Sequence, residues 1–125
     1  DYVGSSLRSV LAQTYGHFEL IVVDDCSTDG SLAEIQKFDD PRIKLVRLSA
    51  NSRRPAVPRN RGMALARGKY IAFLDADDRW EPRKLEKQVA FMEANPEYQL
   101  THTYCWKIDG EGRRIGIRHK DSLPP

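Results

Sequence analysis

The sequence predicts an α/β fold whose sheet is mostly parallel and flanked by helices. Two apolar runs, residues 19–23 and 70–74, lack polar–apolar alternation, which is typical of strands buried on both faces of a sheet. Segments with helical periodicity separate the apolar runs, and both runs end directly in aspartates. Because strands that alternate with helices form parallel sheets with right-handed crossovers, we expect such a sheet, with an antiparallel pair at the C-terminal end.

The expected elements follow the order α-β-α-β-α-β-α-β-β. Apolar residues spaced i, i+4, i+7 and i+8 define the first helix, and a capping-box spacing at Ser31 begins the second. The third helix begins at Pro58, contains Gly62 at a close approach to a strand or ligand, and ends with Gly68 as its C-cap. Helices are expected over residues 3–13, 31–38, 58–67 and 82–95, and strands over residues 19–23, 43–48, 70–74, 98–108 and 115–118, with a hairpin turn at 109–112.

Length and composition indicate an ordinary globular chain. Its 125 residues, 40% hydrophobic and 30% charged, suffice for a single domain with a substantial core. No segment is long and apolar enough to span a bilayer. Cys26 and Cys105 lack metal-ligand spacing, so we expect reduced thiols and a cytoplasmic protein, with the full-length protein cytoplasmic or peripheral at the inner face of the membrane.

The charge distribution is uneven although the net charge is only +2. From Pro41 to Leu74 there is no acidic residue but there are nine basic ones, and acidic residues return at Asp75. A metal–diphosphate ligand needs both kinds of charge, because carboxylates hold the cation and guanidinium groups bind phosphate. The nearly neutral total and the absence of aromatic residues among these arginines argue against nucleic-acid binding.

The aspartates after the two buried runs are the candidate site. Asp75 and Asp77 are two residues apart, so on an extended backbone they project to the same side. Ligands of open α/β sheets bind at the C-terminal edge of the strands, and carboxylates are suitable ligands for Mg²⁺ or Mn²⁺. The pattern therefore predicts a divalent-metal nucleotide site. In the alternative interpretation Asp78 caps the next helix within a solvated turn, and Asp24 or Asp25 caps the turn after the first strand.

Three sequence blocks together resemble glycosyltransferase family 2. They are residues 22–30 (VVDDCSTDG), 59–62 (RNRG) and 66–78 (ARGKYIAFLDADD), and the resemblance extends over about residues 1–108. Members of this family are inverting, nucleotide-sugar-dependent enzymes of the GT-A fold, which is Rossmann-like. The resemblance implies that residues 1–125 form a partial GT-A domain, its N-terminal nucleotide-binding part, without the first strand and the acceptor-binding half.

The same resemblance implies roles for five residues. Asp25 would hydrogen-bond the nucleotide base, and Asp75 would bind the ribose side. Asp77, together with Asp75, would hold the Mn²⁺ or Mg²⁺ ion that bridges the diphosphate. Asn60 would line the nucleotide cleft, and Arg54 would contact the nucleotide. The catalytic base of the family lies downstream of the metal motif, and no residue here matches it, so none is assigned.

The function implied is transfer of a sugar from a UDP-sugar donor to a hydroxyl of a saccharide or lipid-linked acceptor, in the synthesis of a cell-surface polysaccharide or glycoconjugate. A nucleotidyltransferase and a catalytically inactive nucleotide-binding fragment remain alternatives. A phospho-acceptor receiver domain fits poorly, because receivers lack an Asp-X-Asp after a later strand. In the family the missing first strand lies between the strands at 19–23 and 70–74. We therefore expect a neighbouring chain of a homo-oligomer to fill the gap, or the two strands to close up.

Overall fold

The computed structural model describes residues 2–118 and has the α/β class that the sequence predicts. The chain divides into two compact units, Asp1–Phe91 and Met92–Pro125. Its elements are α1 (Tyr2–Leu11), β1 (Leu20–Asp24), α2 (Ser31–Ile35), β2 (Ile43–Arg47), α3 (Ala56–Leu65), α4 (Lys84–Ala94), β3 (Cys105–Ile108) and β4 (Arg114–Arg118).

The sheet of the first unit consists of β1 and β2, which pair in parallel. The register runs from Leu20 opposite Ile43 to Asp24 opposite Arg47. Parallel neighbours need a crossover connection, and α2 lies in it. Residues of β1 are half-buried up to Asp24, which is buried, so β1 is less enclosed than its apolar sequence predicts.

The buried apolar residues of this unit come mainly from helices. They are Leu7 and Val10 of α1, Ile35 of α2 and Leu85 of α4. The first of these helices exposes one side and buries the other, as its apolar spacing predicts. The core of the unit is therefore built around α1, which places the N-terminal helix beside the segments that follow residue 75.

The predicted strand at residues 70–74 is wrong. Within residues 2–118 this segment has no strand partner, and β1 pairs with β2 alone. Ile71 and Phe73 are 49% and 51% exposed, so the run is not buried on both faces. A strand needs a neighbour for its backbone N–H and C=O groups, and the described chain supplies none. The expectation that the two strands close up is therefore also wrong, and filling by a neighbouring chain stays a prediction.

The third helix is shifted relative to its prediction. It begins at Ala56, so Pro58 lies in its first turn, and Asn60 lies near its middle rather than at its N-terminus. Its C-cap is Ala66, which is extended with φ −69° and ψ 139°, and not Gly68. The close approach predicted for Gly62 is to a strand, because a Cβ built there would lie 3.6 Å from Cγ2 of Val23.

In the second unit β3 and β4 pair antiparallel, and the turn between them confirms the predicted hairpin. Asp109 organises this turn, because its carboxylate accepts hydrogen bonds from the backbone N–H groups of Glu111 and Arg113. Residues 98–104 are not part of a strand, so the predicted strand over 98–108 is reduced to its last four residues. Among the described helices none has the length and hydropathy of a membrane span.

Candidate functional site

The first carboxylate after β1 has a structural role. Asp24 is buried, and its Oδ1 accepts a hydrogen bond from the backbone N–H of Ser27 at 3.1 Å. Its Oδ2 lies 3.4 Å from Nε of Arg47 and accepts no hydrogen bond. Asp24 therefore caps the turn that follows β1, as the alternative interpretation predicts. Its negative charge also offsets the positive charge of Arg47, the last residue of β2.

The second carboxylate, Asp25, is half-buried and holds the loop that precedes α3. Its Oδ1 accepts a hydrogen bond from the backbone N–H of Ser52 at 2.8 Å, and its Oδ2 accepts one from Ser52 Oγ at 2.7 Å. The backbone N–H of Arg54 in turn donates to Ser52 Oγ at 3.3 Å. Because a carboxylate offers about four lone-pair sites, Asp25 can accept a further donor while it keeps both bonds to Ser52.

Asp75 lies in an exposed turn and pairs with α3. Its Oδ1 is 2.6 Å from Nη2 of Arg59, and the two side chains are 57% and 47% exposed. The backbone carbonyl of Asp75 accepts hydrogen bonds from the N–H of Asp78 at 3.0 Å and from Ser6 Oγ at 3.4 Å. Within residues 2–118 the carboxylate is therefore held on one oxygen, and its other oxygen is open to solvent or a ligand.

Asp77 lines an open cleft of about 580 Å³ in the first unit. No hydrogen bond or ion pair engages its carboxylate within residues 2–118. Hydrogen bonds from Ser31 lower the pKa of Asp29, and the hydrogen bond from Lys37 lowers the pKa of Glu34. These carboxylates stay ionised near neutral pH, so the cleft attracts cations. The cleft is lined by Tyr2, Val3, Asp29, Gly30, Ser31, Glu34, Ala76 and Asp77.

The other two predicted nucleotide contacts are exposed. The guanidinium of Arg54 and the amide of Asn60 have no hydrogen bond or ion pair to any described part of the chain. Both lie on the segment that leads into and through the first half of α3, beside the partners of Asp25 and Asp75. They are available to a ligand, and nothing in the described structure restrains them.

The structure connects Asp25 and Asp75 through one short segment. Ser52 binds Asp25, and Arg59 binds Asp75, so residues 52–59 link the two carboxylates. Within residues 2–118 no hydrogen bond or ion pair connects Asp25 with Asp77, which faces the cleft described above. The described residues contain no group of three or more metal-ligating side chains. Two carboxylates on one turn do fit a hard cation that takes its other ligands from water and phosphate.

Two contacts of this site were missed in the sequence. Ser52 lies in a polar loop of the sequence, and no local pattern there indicates that it binds a carboxylate 27 residues away. Gln13 was missed at the end of α1, where it is only 7% exposed. A polar residue on the buried side of an amphipathic helix was the available signal, because a buried amide requires partners.

Comparison with known proteins agrees with the fold and the motifs. The model of "Glycosyl transferase family 2" matches residues 1–121. TuaG of Bacillus subtilis, a glycosyltransferase named for teichuronic acid biosynthesis, is 49% identical over 94 residues, which are 74% of this chain and 37% of TuaG. WfgD of Escherichia coli, a UDP-Glc:alpha-D-GlcNAc-diphosphoundecaprenol beta-1,3-glucosyltransferase, is 42% identical over 93 residues, which are 74% of this chain and 36% of WfgD.

Solved structures give the same result. TarS 1–349 of S. aureus in complex with UDP superimposes with a TM-score of 0.72 at 34% identity, over 76% of this chain and 29% of that chain. The fold is accordingly GT-A, and the predicted class is confirmed. The chain spans less than half the length of each relative named here. With a family match over nearly its whole length, the chain belongs to glycosyltransferase family 2.

Proposed function

We propose that this chain is the nucleotide-sugar-binding part of an inverting glycosyltransferase. In the full-length protein it would transfer a sugar from a UDP-sugar to an acceptor hydroxyl, in the synthesis of a cell-surface polysaccharide or glycoconjugate. The observation that carries this proposal is the link between Asp25 and Asp75 through residues 52–59. It holds one carboxylate that follows β1 and one that follows residues 70–74 beside a basic, carboxylate-free segment, which suits a ligand with a neutral base and an anionic diphosphate.

The proposed roles follow the available atoms. Asp25 would accept an N–H of the base beside its two bonds to Ser52. Asp75 would bind the ribose through the oxygen that Arg59 leaves open, and Asp77 with Asp75 would hold Mn²⁺ or Mg²⁺. The metal, when bound, would act as a Lewis acid toward the diphosphate leaving group. Arg54 and Asn60 would complete the lining of the nucleotide site.

The relatives support a UDP-sugar donor and a lipid-linked acceptor. The name of WfgD specifies UDP-Glc as its donor and a diphosphoundecaprenol-linked sugar as its acceptor, and TarS was solved with UDP. A lipid-linked acceptor would place the full-length protein in the cytoplasm or at the inner face of the membrane. Family membership favours sugar transfer over nucleotidyl transfer or a receiver function. The chain alone would bind the donor, and we propose no catalytic base within it.

The test is calorimetric titration of UDP, GDP and CMP with and without Mn²⁺. The unaltered chain should bind UDP most tightly, and only with the metal. Asp77→Ala should weaken that binding at least about tenfold, because a metal ligand is lost. Asp39→Ala is the matched control, since Asp39 is another exposed aspartate outside the site. Equal binding of all three nucleotides without metal, unaffected by Asp77→Ala, would refute the proposal.

The free edge of β1 supports a further element of the proposal, self-association of this chain. Within the described residues β1 has a strand neighbour on one side only. An unpaired edge is a template for a strand from another chain. Sedimentation velocity over a range of protein concentrations should detect a concentration-dependent dimer. A monomer at every concentration would refute this element and leave the donor-binding proposal intact.

A further inference from the structure

Side chains of α1 and of the residue two positions after it are hydrogen-bonded to the segment that carries the candidate metal ligands. Three side chains make these contacts, and we call them the polar clamp: Ser6, Ser9 and Gln13. Ser6 and Ser9 are three residues apart on one face of α1, and Gln13 lies two residues after the end of the helix. All their partners lie within residues 75–85 or within α1 itself, so the clamp joins the N-terminal helix to the turn that holds Asp75 and Asp77.

Gln13 anchors the far end of this segment. Its Nε2 donates hydrogen bonds to the backbone carbonyls of Glu81 at 2.8 Å and Ser9 at 3.1 Å. Its Oε1 accepts a hydrogen bond from the backbone N–H of Leu85 at 3.0 Å. That N–H belongs to the first turn of α4, where backbone donors have no partner within the helix. Gln13 is buried with three hydrogen bonds, so its position and orientation are fixed.

Ser9 and Ser6 hold the near end. Ser9 Oγ accepts a hydrogen bond from the backbone N–H of Trp80 at 3.0 Å and donates to the carbonyl of Ser6 at 2.7 Å. Ser6 Oγ donates to the carbonyl of Asp75 at 3.4 Å. The turn with both candidate metal ligands is therefore bonded to α1 at its first residue, Asp75, and again at Trp80. The helix therefore holds this loop at two points, five residues apart.

From this geometry we propose that the polar clamp is a positioning element for the metal-binding turn. The clamp contacts backbone groups of the turn and none of the carboxylates, so it acts through the turn and not on a ligand. In the described chain no strand pairs with residues 70–74, so the hydrogen bonds to α1 take the place of strand pairing in fixing the backbone near Asp75. The inference rests on the proposed function for the metal, whereas the clamp itself can be tested without any ligand.

The ligand-free test is amide hydrogen exchange of the unaltered chain and of Ser9→Ala. The variant removes the acceptor of the Trp80 N–H, so exchange at Trp80 should become about fivefold faster, as expected for one lost hydrogen bond. The conservative variant Ser9→Thr keeps a hydroxyl and should restore the slow exchange. Unchanged exchange at Trp80 in Ser9→Ala would refute the clamp, whatever the chain binds.

The functional test is calorimetric binding of UDP with Mn²⁺ to the same variants. Residues that orient metal ligands typically change metal affinity about 10- to 100-fold, and we expect a loss in that range for Ser9→Ala and recovery in Ser9→Thr. Val10→Ala is the control for general destabilisation, because Val10 is a buried apolar neighbour on the same helix. It should lower the melting temperature while Mn²⁺–UDP affinity is retained.

The outcomes separate the two proposals. If Val10→Ala loses as much affinity as Ser9→Ala at an equal fall in melting temperature, the role of the clamp is structural only and the inference is wrong. Unaltered affinity in Ser9→Ala also overturns it. If the unaltered chain binds UDP without regard to Mn²⁺, the proposed function fails and the metal-positioning role fails with it. The Trp80 exchange rate would then still decide whether α1 holds the turn.

Discussion

Gly62 should be replaceable by alanine with a gain in stability. It lies within α3, where glycine costs about 1 kcal/mol relative to alanine because it loses more backbone entropy on folding. A Cβ at this position would lie 3.6 Å from Cγ2 of Val23, which is an ordinary van der Waals contact and not a clash. The new methyl group would therefore add a contact between α3 and β1 without displacing either. We expect Gly62→Ala to stabilise the chain by about 1 kcal/mol.

Thermal unfolding followed by circular dichroism would measure this gain. For a domain of this size about 1 kcal/mol corresponds to a rise of roughly 4–8 °C in the melting temperature. Gly30→Ala is the matched control, since Gly30 is the N-cap of α2 and glycine is favoured over alanine there. It should give no gain. A fall in the melting temperature of Gly62→Ala would refute the reasoning, because α3 would then have to pack more closely on β1.

The same variant decides between strand and ligand as the reason for this glycine. The structure places Val23 opposite the position, so UDP affinity in Gly62→Ala should equal that of the unaltered chain. If the melting temperature rises but UDP binding is weakened, a ligand approaches α3 at this point. The glycine would then be a requirement of the nucleotide site and not of the packing between helix and strand.

Three further predictions concern stability and charge. The hydrogen bond from Arg83 lowers the pKa of Glu86 from 4.5 to about 2. The ionised form therefore contributes stability above pH 4.5, and this stability is lost as the pH falls toward 2. In Glu86→Gln the melting temperature should decline less steeply over this range. Ile35→Ala should cost about 2–5 kcal/mol in urea unfolding, because Ile35 is the buried residue of α2, and a cost under about 1 kcal/mol would contradict its place in the core. Arg59→Met should change the free energy of unfolding by less than about 1 kcal/mol, because its pair with Asp75 is exposed. The variant should also raise the affinity for Mn²⁺ in the absence of nucleotide. An unchanged Mn²⁺ affinity would exclude Asp75 as a metal ligand.

Local chemistry made much of the fold predictable. The apolar spacing that includes Leu7 and Val10 identified α1, and the structure buries both residues. The turn at 109–112 was predictable because Asp109 bonds to the backbone of residues within the same turn. The strand at 43–48 was found within one residue of its end. In each case the residues that determine the element lie within the element or next to it.

Elements that depend on distant partners were predicted less well. The run at 70–74 has a typical strand sequence, but a strand forms only where another strand pairs with it, and the described chain provides none. The strand predicted at residues 98–104 did not form for the same reason, since within residues 2–118 these residues have no strand partner. The start of α3 was misplaced because Pro58 is tolerated anywhere in the first turn and does not fix the first residue.

In the candidate site, the carboxylates could be predicted from the sequence, but the residues that bind them could not. Its carboxylates were identifiable from their positions after apolar runs, and the structure places Asp25 and Asp75 at those positions. Their partners, Ser52 and Arg59, are 27 and 16 residues away along the chain, and no local pattern indicates which of several serines or arginines is used. Pairing over such separations is decided by packing of α3 against β1.

The two partners differ in strength, and the difference indicates how a ligand would enter. Ser52 gives Asp25 two hydrogen bonds in a half-buried setting, and bonds to an ionised acceptor are the stronger kind. Arg59 gives Asp75 one contact between two exposed side chains, which is worth little in water. Under the proposed function a nucleotide can use the free acceptor sites of both carboxylates, and of the two partners Arg59 is the one more easily displaced. If Arg59 is displaced, its guanidinium would remain beside an anionic ligand, where phosphate is its natural partner, so under the proposed function the diphosphate would replace Asp75 as its partner.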